Sequence, residues 1–291
     1  MKKIGLVIDE GSDLPKEFID NHEISVIPFK FDLGEMKDLP GNIYQKIEEA
    51  QERGIRAFIK TSQPSIGEFL SVFKEKLKNF SEVVCITISS KLSGTFNSAI
   101  QARNFLTKDV QDKISIIDSL NGTGGEGLLI IRAVDFIKKG LGIKAILDDL
   151  KEVIEKKIHL IGMLGDPKWF EASGRLPHFI AIWISRMQKM GLRPLIGLKR
   201  GIIKPIGIKR GVKDTAEALF QEFENRIARI KNLNYKIKVA ITHAGNIQGA
   251  EKLKQMIQSL KNTEIAFVNI IGTAIGGHVG PGTLILSWQE F

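Results

Sequence analysis

From Ile4 to Lys138 the chain repeats one pattern: an apolar run of strand length, a loop of Ser, Thr, Asp and Gly, then apolar residues at helical spacing. Ile4 to Ile8 runs into Asp9-Glu10-Gly11-Ser12-Asp13-Leu14-Pro15, where Pro15 starts a helix that Ser12 or Asp13 can cap. Ser25 to Phe31 reads as a second strand and Asn42 to Arg53 as a helix. Ala57 to Lys60 leads into Thr61-Ser62-Gln63-Pro64-Ser65, which opens a helix over Ile66 to Leu77. Val83 to Ile88 and Ile114 to Ile117 are further strands. The first feeds a helix over Thr95 to Leu106. The second is followed by Asp118-Ser119 and the glycine-rich Gly122-Thr123-Gly124-Gly125-Glu126-Gly127 before a helix to Lys138. Repeated strand–loop–helix units predict a parallel sheet with right-handed crossovers, in which ligands bind beyond the carboxyl ends of the strands. The Ser, Thr, Asp and Gly loops all fall at that edge.

A charged helix over Ile143 to Lys157 ends this regime. Beyond it come strands at His159 to Leu164, Arg193 to Leu198, Ile202 to Ile208, Ile237 to Thr242, Ile265 to Ile270 and Leu284 to Trp288, with a Gly-centred turn near Gly201 and two long helices. A short turn implies an antiparallel hairpin, so this half reads as mixed α+β. The expected fold is α/β, with an N-terminal parallel-sheet domain over 1–158 and a C-terminal mixed α+β domain over 159–291. Charge divides at nearly the same place: residues 1–150 hold 20 basic and 22 acidic side chains, residues 151–291 hold 22 and 11. Nine cations and no acid lie between Arg186 and Lys213.

Ser89-Ser90-Lys91-Leu92-Ser93-Gly94-Thr95-Phe96-Asn97-Ser98 places five hydroxyls around the start of a helix, where unpaired N–H groups and the positive end of the helix dipole point. That suits an anion; an ordinary N-cap by Ser93 accounts for the same residues. Cys85 is the single cysteine and sits mid-strand, a buried filler rather than a nucleophile, and the five histidines lack metal-ligand spacing. Gly122 to Gly127 has G-x-G-x-x-G spacing, but a tight strand-to-helix turn explains those glycines as well as ligand approach does, and no G-x-x-x-x-G-K-[ST] loop occurs, so ATP binding by this chain is not expected. No apolar run reaches about 18 residues, and Met1-Lys2-Lys3 leads straight into a strand; both point to a cytoplasmic protein.

In order and spacing, several motifs together resemble the DegV family of bacterial fatty-acid-binding proteins over nearly the whole length. They are Asp9 through Pro15, Thr61 through Ser65, Ser89-Ser90 with Leu92-Ser93-Gly94-Thr95 and Asn97-Ser98-Ala99, Asp118-Ser119, Gly174-Arg175, Arg193-Pro194-Leu195, Lys204-Pro205-Ile206, His243-Ala244-Gly245-Asn246, and Ile275-Gly276 with His278 and Gly280-Pro281-Gly282. The resemblance implies two α/β domains that enclose one long-chain fatty acid with its carboxylate at their junction. It also implies delivery of that acid to a separate ATP-dependent fatty acid kinase, which makes the acyl phosphate. Carried over by position, Thr61 and Ser93, with Gly94 and Thr95, take the carboxylate; His278 belongs to the same polar end, and Arg210, with Lys209, to the kinase-facing rim. Two places depart from the family pattern. Glu10-Gly11 stands where small hydroxyl residues are usual, and Trp169 to Ser173 replaces a more basic, glycine-containing approach to Gly174-Arg175.

Burying an acyl chain gains roughly 0.8 kcal/mol per CH₂, about 10 kcal/mol gross for a dozen. A hydrogen bond to a carboxylate adds about 1.5–3 kcal/mol. The tail therefore sets affinity and the hydroxyls set orientation, and the ligand needs no cofactor beside it. Two other readings stay open on residues alone. Ser93 and His278 with Asp9 or Asp118 could serve an acyl or phosphate hydrolase, although the G-x-S-x-G elbow is missing. The Arg186 to Lys213 cations suit an acidic partner protein, transient contact with an anionic membrane, or nucleic acid. Few aromatics interleave with them, which argues against specific nucleic-acid binding.

Overall fold

The structure, a computed structural model, describes residues 2–55, 57–230 and 236–291. In chain order its elements are β1 (Lys2–Asp9), α1 (Lys16–Asn21), β2 (Ser25–Ile27), β3 (Lys30–Asp32), α2 (Ile43–Glu52), β4 (Lys60–Ser62), α3 (Ile66–Asn79), β5 (Phe80–Thr87), α4 (Thr95–Asn104), α5 (Lys108–Gln111), β6 (Ile114–Asp118), α6 (Thr123–Lys138) and α7 (Ile143–Lys156). Then follow β7 (Ile158–Met163), α8 (Lys168–Ala172), α9 (His178–Lys189), β8 (Arg193–Lys199), β9 (Ile202–Lys209), α10 (Thr215–Ile227), β10 (Ile237–His243), α11 (Ile247–Gln258), β11 (Thr263–Ile270), α12 (Thr273–Val279) and β12 (Leu284–Glu290).

By contact the chain forms two compact units. Unit 1 is Met1–Lys30, Ser62–Ile158 and Arg200–Ile202; unit 2 is Phe31–Thr61, His159–Lys199 and Ile203–Phe291. One passage between them falls at 158/159, where the charge pattern changes. Phe31–Thr61, read from sequence with the N-terminal half, group instead with unit 2.

Unit 1 holds the parallel four-stranded sheet β2-β1-β5-β6, in register at Val7↔Ser25, Val7↔Cys85 and Cys85↔Ile116. Side chains alternate across it. Val7, Val83 and Cys85 pack with Phe69 and Phe73 of α3 and Ala99 and Ala102 of α4. Ile4 and Leu6 turn the other way, towards Val134 and Ile137 of α6. Both faces are thus covered, which explains why Val83 to Ile88 is apolar without alternation. Cys85 is fully buried, as its mid-strand position predicts.

Unit 2 is built on the mixed sheet β11-β10-β12-β7-β8-β9, with β10 parallel to β11 and antiparallel to β12, and β7 antiparallel to β8. Trp288, Phe223 and Leu219 lie in its core beside Leu253 and Ile257 of α11. Phe223 meets the Trp288 ring edge-on, with centroids 5.2 Å apart. The turn near Gly201 is a two-residue loop, Arg200-Gly201, with φ of 51° and 77°, the primed geometry that suits a hairpin's twist.

The expected α/β fold with a parallel N-terminal sheet and a mixed C-terminal one is what forms. Several local expectations are corrected. Ser25 to Phe31 is not one strand: Pro28 has no N–H to give a ladder, and the run splits into β2 and β3. Neither Ser12 nor Asp13 caps α1, whose N-cap is Pro15 without a side-chain bond; Asp9 instead caps the short 3₁₀ turn Glu10–Ser12. The glycines at 124, 125 and 127 lie inside the first turns of α6 rather than in a loop before it. Helices α8, α9 and α12 were not foreseen, because runs of 5 and 7 residues are too short for a helical period and α9 is apolar on too many sides.

Candidate functional site

In unit 1 the strands β1, β5 and β6 end side by side, and the loops beyond them hold the hydroxyl-rich segment. Most of its polar side chains are already committed to the backbone. Asp118 Oδ1 accepts from Ser90 N and Leu120 N, both at 3.0 Å. Ser89 Oγ accepts from Lys91 N at 3.2 Å and donates to Gly201 O at 3.1 Å. Ser119 Oγ closes on Asn121 in the same way. Ser93 and Thr95 differ, since their hydroxyls pair with each other at 2.8 Å and Ser93 Oγ accepts from Thr95 N at 3.3 Å. The N-cap of α4 is Gly94, which supplies no side-chain acceptor. A Cβ there would come within 2.6 Å of the Gln63 amide, so glycine is what lets Gln63 lie over this helix start. Ser93 thus bonds a first-turn N–H from one residue before the N-cap, and its hydroxyl keeps capacity for a ligand. Its partner is a hydroxyl and not a base.

Glu10, the unusual acid of the first loop, accepts from Phe29 N at 3.1 Å and so fixes the chain after β2.

In unit 2 the corresponding polar cluster is made by residues far apart in sequence. Thr61 Oγ1, in β4, lies 2.6 Å from His278 Nε2, in α12. Burial, helped by the positive charge of Arg175, pushes His278 down to about 4, so its ring is neutral at pH 7. Arg175 is itself partly buried, which lowers its pKa, and its Nη1 donates to Ser173 O at 3.0 Å. A neutral imidazole, a hydroxyl and a guanidinium charge make a cluster with positive or neutral character and donors that an anion can use.

What aims His278 is the seating of α12. Tyr44 OH, from α2, donates to Ile271 O at 2.7 Å just before the helix begins. Gly276 rests on the Tyr44 ring, Gly277 on Ile59 and Gly280 on Trp169, each so closely that a Cβ would overlap the neighbour. Trp169 in turn meets Phe58, ring centroids 5.0 Å apart. The small residues around His278 are therefore packing requirements, and Trp169 of the divergent segment is part of the socket. Tyr44 and Ile59 escaped the sequence reading, since neither belongs to a polar motif. His243, at the end of β10, is buried with Nδ1 unpaired and its pKa lowered by burial. It serves the strand end, where its carbonyl accepts from Ile271 N at 2.9 Å.

The basic stretch is less uniform than its sequence suggests. Lys209 Nζ is 2.9 Å from Glu222 Oε2, with side-chain exposures of 16% and 17%, so an acid from α10 neutralises it. Arg210 is exposed. Among the described residues, no group of His, Cys, Asp and Glu has metal-binding geometry and no helix is long and apolar enough to cross a membrane.

Thr61 with His278, and Ser93 with Gly94 and Thr95, are each brought together, the first pair in unit 2 and the second group in unit 1. Known proteins resemble this chain over nearly its whole length. The sequence profile of the DegV family, a family described as uncharacterised proteins, matches residues 3–290. A DegV domain-containing protein of Staphylococcus aureus (strain MRSA252) is 29% identical over 98% of both chains. A protein of Thermotoga maritima named a fatty acid-binding protein is 26% identical, covering 97% of this chain and 96% of its own. Among solved structures, a DegV family protein from Thermus thermophilus, described for its fatty acid binding, superposes with a TM-score of 0.86 at 25% identity over 99% of this chain and all of its own. With a profile match that leaves out only the ends, and with the same fold in a solved relative, this chain belongs to the DegV family.

Proposed function

We propose that this protein binds one long-chain fatty acid and presents its carboxylate to a separate ATP-dependent fatty acid kinase, acting as a carrier and not as an enzyme. The observation that carries the reading is the Thr61–His278 pair beside Arg175: a hydroxyl and a neutral imidazole 2.6 Å apart, under a positive charge. The fatty-acid-binding relatives from Thermotoga and Thermus support the choice of anion. In this reading Thr61, His278, Ser93, Gly94 and Thr95 are the carboxylate-binding groups, and the acyl chain supplies most of the affinity by apolar burial. Hydroxyl and N–H donors hold a carboxylate without a lysine partner, which leaves an oxygen able to attack a phosphoryl group. The exposed Arg210 is the rim residue for the kinase; Lys209, tied to Glu222, is the lesser one. The compartment that fits this role is the cytoplasm.

Native mass spectrometry of protein expressed in bacteria tests the reading. The expected spectrum shows about one fatty acid per chain, because burial on this scale makes release slow. Delipidated protein should gain thermal stability from added long-chain fatty acid, since a ligand that binds only the folded state must raise it. Protein that carries no lipid and gains no stability from any such acid would contradict the proposal.

A further inference from the structure

Unit 1 buries a second pair of ionisable groups, which the carboxylate-binding reading does not use. Asp9, at the end of β1, and Glu126, in the first turns of α6, are both wholly buried. Asp9 is fastened by both oxygens: Oδ1 accepts from Gly11 N and Oδ2 from Ile88 N, each at 2.8 Å. Two backbone donors on one carboxyl fit its charged form. Glu126 lies beside it, for a Cβ built on Gly11 would stand 2.8 Å from Asp9 Oδ1 and 3.2 Å from Glu126 Oε2. Neither Glu126 oxygen accepts from a protein donor. The groups that act on the pair from the packed elements are Glu10 and Asp13 after β1 and Asp118 at the end of β6, all of them acids, and the buried Cys85 thiol lies within reach of both charges. Two carboxylates cannot both ionise in such a place, so one proton stays, and Glu126 is where it is needed.

We propose that Asp9 and Glu126 share one proton and form a latch that fastens the first turns of α6 to the loops after β1 and β5, the second of which leads into Ser93. The latch is closed by Glu126 donating its proton to the Asp9 carboxylate, while Asp9 holds Gly11 and Ile88. Loss of the proton leaves two buried anions facing three more acids and opens it. Burial pushes Asp9 up to about 7 and Glu126 well above the carboxylate range. The folded protein therefore keeps a proton that the unfolded chain has released, and the stability this gives is lost as pH rises from the unfolded carboxyl range, about 4, up to the release of that proton from the folded pair.

Glu126→Gln tests it, because a carboxamide has the same shape, can donate to Asp9 and cannot ionise. In delipidated protein, the melting temperature of the parent should fall as pH is raised from neutrality, and that of Glu126→Gln should stay flat over the same rise and lie several degrees above the parent at the alkaline end. An unchanged slope in Glu126→Gln overturns the latch. Infrared spectroscopy of the parent gives an independent reading should the variant fail to fold. A protonated buried carboxyl should absorb at neutral pH and vanish on alkalinisation together with loosening of unit 1, and a parent without that band overturns the proposal.

Discussion

The polar ends of the two units are built on opposite plans. At the sheet edge of unit 1, every one of these side chains has a bond within two residues of itself, Asp9 to Gly11, Ser89 to Lys91, Ser93 to Thr95, Asp118 to Leu120 and Ser119 to Asn121, and Asp9, Asp118 and Ser89 add bonds to Ile88, Ser90 and Gly201 that tie neighbouring loops. Around α12 in unit 2 the partners are 217 and 227 residues apart, Thr61 with His278 and Tyr44 with Ile271. Local bonds shape loops that fold on their own sequence. Distant ones exist only once the tertiary structure has closed, so the second cluster reports directly on packing.

That difference predicts which substitutions hurt most. Gly280→Ala, at a φ of 76° and against the Trp169 indole, should destabilise by roughly 3 kcal/mol through strain and overlap together. A urea titration measures it. A loss below about 1 kcal/mol would mean that the socket around α12 is loose and that the comparison fails at its firmest point.

The units should also answer pH in opposite senses. His278 is held neutral down to about 4, against an ordinary 6.5, so the unfolded chain takes up a proton that the folded one refuses. Stability from this group is complete above the unfolded value and is lost as pH falls from there towards 4, by about 2–3 kcal/mol. His278→Gln should flatten the acid limb of the melting curve, just as Glu126→Gln flattens the alkaline one. An acid limb that survives His278→Gln would remove His278 as its source.

For ligand binding the ordering is Thr61 before Ser93. Thr61→Val removes a hydroxyl from the cluster with positive character and should weaken fatty-acid binding by about 1–3 kcal/mol, with Ser93→Ala at the lower end of that range. Titration with a labelled fatty acid distinguishes them. A larger loss in Ser93→Ala would shift the main carboxylate contact to the α4 start.

Smallest is the surface pair. Lys209→Ala should cost at most about 1 kcal/mol of stability, since it breaks a partly buried ion pair with Glu222, and Arg210→Ala should cost nothing measurable. On turnover by the proposed kinase partner the order should reverse. Arg210→Ala should slow acyl phosphate formation, with a defect that shrinks at high salt, and leave fatty-acid binding nearly unchanged. Normal turnover in Arg210→Ala would end its docking role.

How much of this was legible in the sequence follows the same division. The strand, loop and helix order of the N-terminal half could be read because each signal lies within a few residues: Ser65 and Glu68 form the capping box that starts α3, and Asn42 and Gln45 that of α2. The compact helices α8 and α12, the grouping of Phe31–Thr61 with unit 2, and the socket of Tyr44, Ile59 and Trp169 were not legible, because only tertiary contact defines them. Glu126 was hidden for another reason. Nothing within the glycine-rich run marks it out, and only its burial beside Asp9 does. Lys209 shows the converse error, a cation that seems free in sequence and is paired in space.

The central claim is that the protein binds a long acyl chain by its carboxylate. The most direct measurement compares a long-chain fatty acid with the alcohol of equal chain length, each titrated into delipidated parent and Thr61→Val protein. The account predicts that the parent prefers the acid by about tenfold or more and that Thr61→Val loses most of that preference while still binding the chain. Equal affinity for acid and alcohol in the parent, or no binding of either, would contradict it.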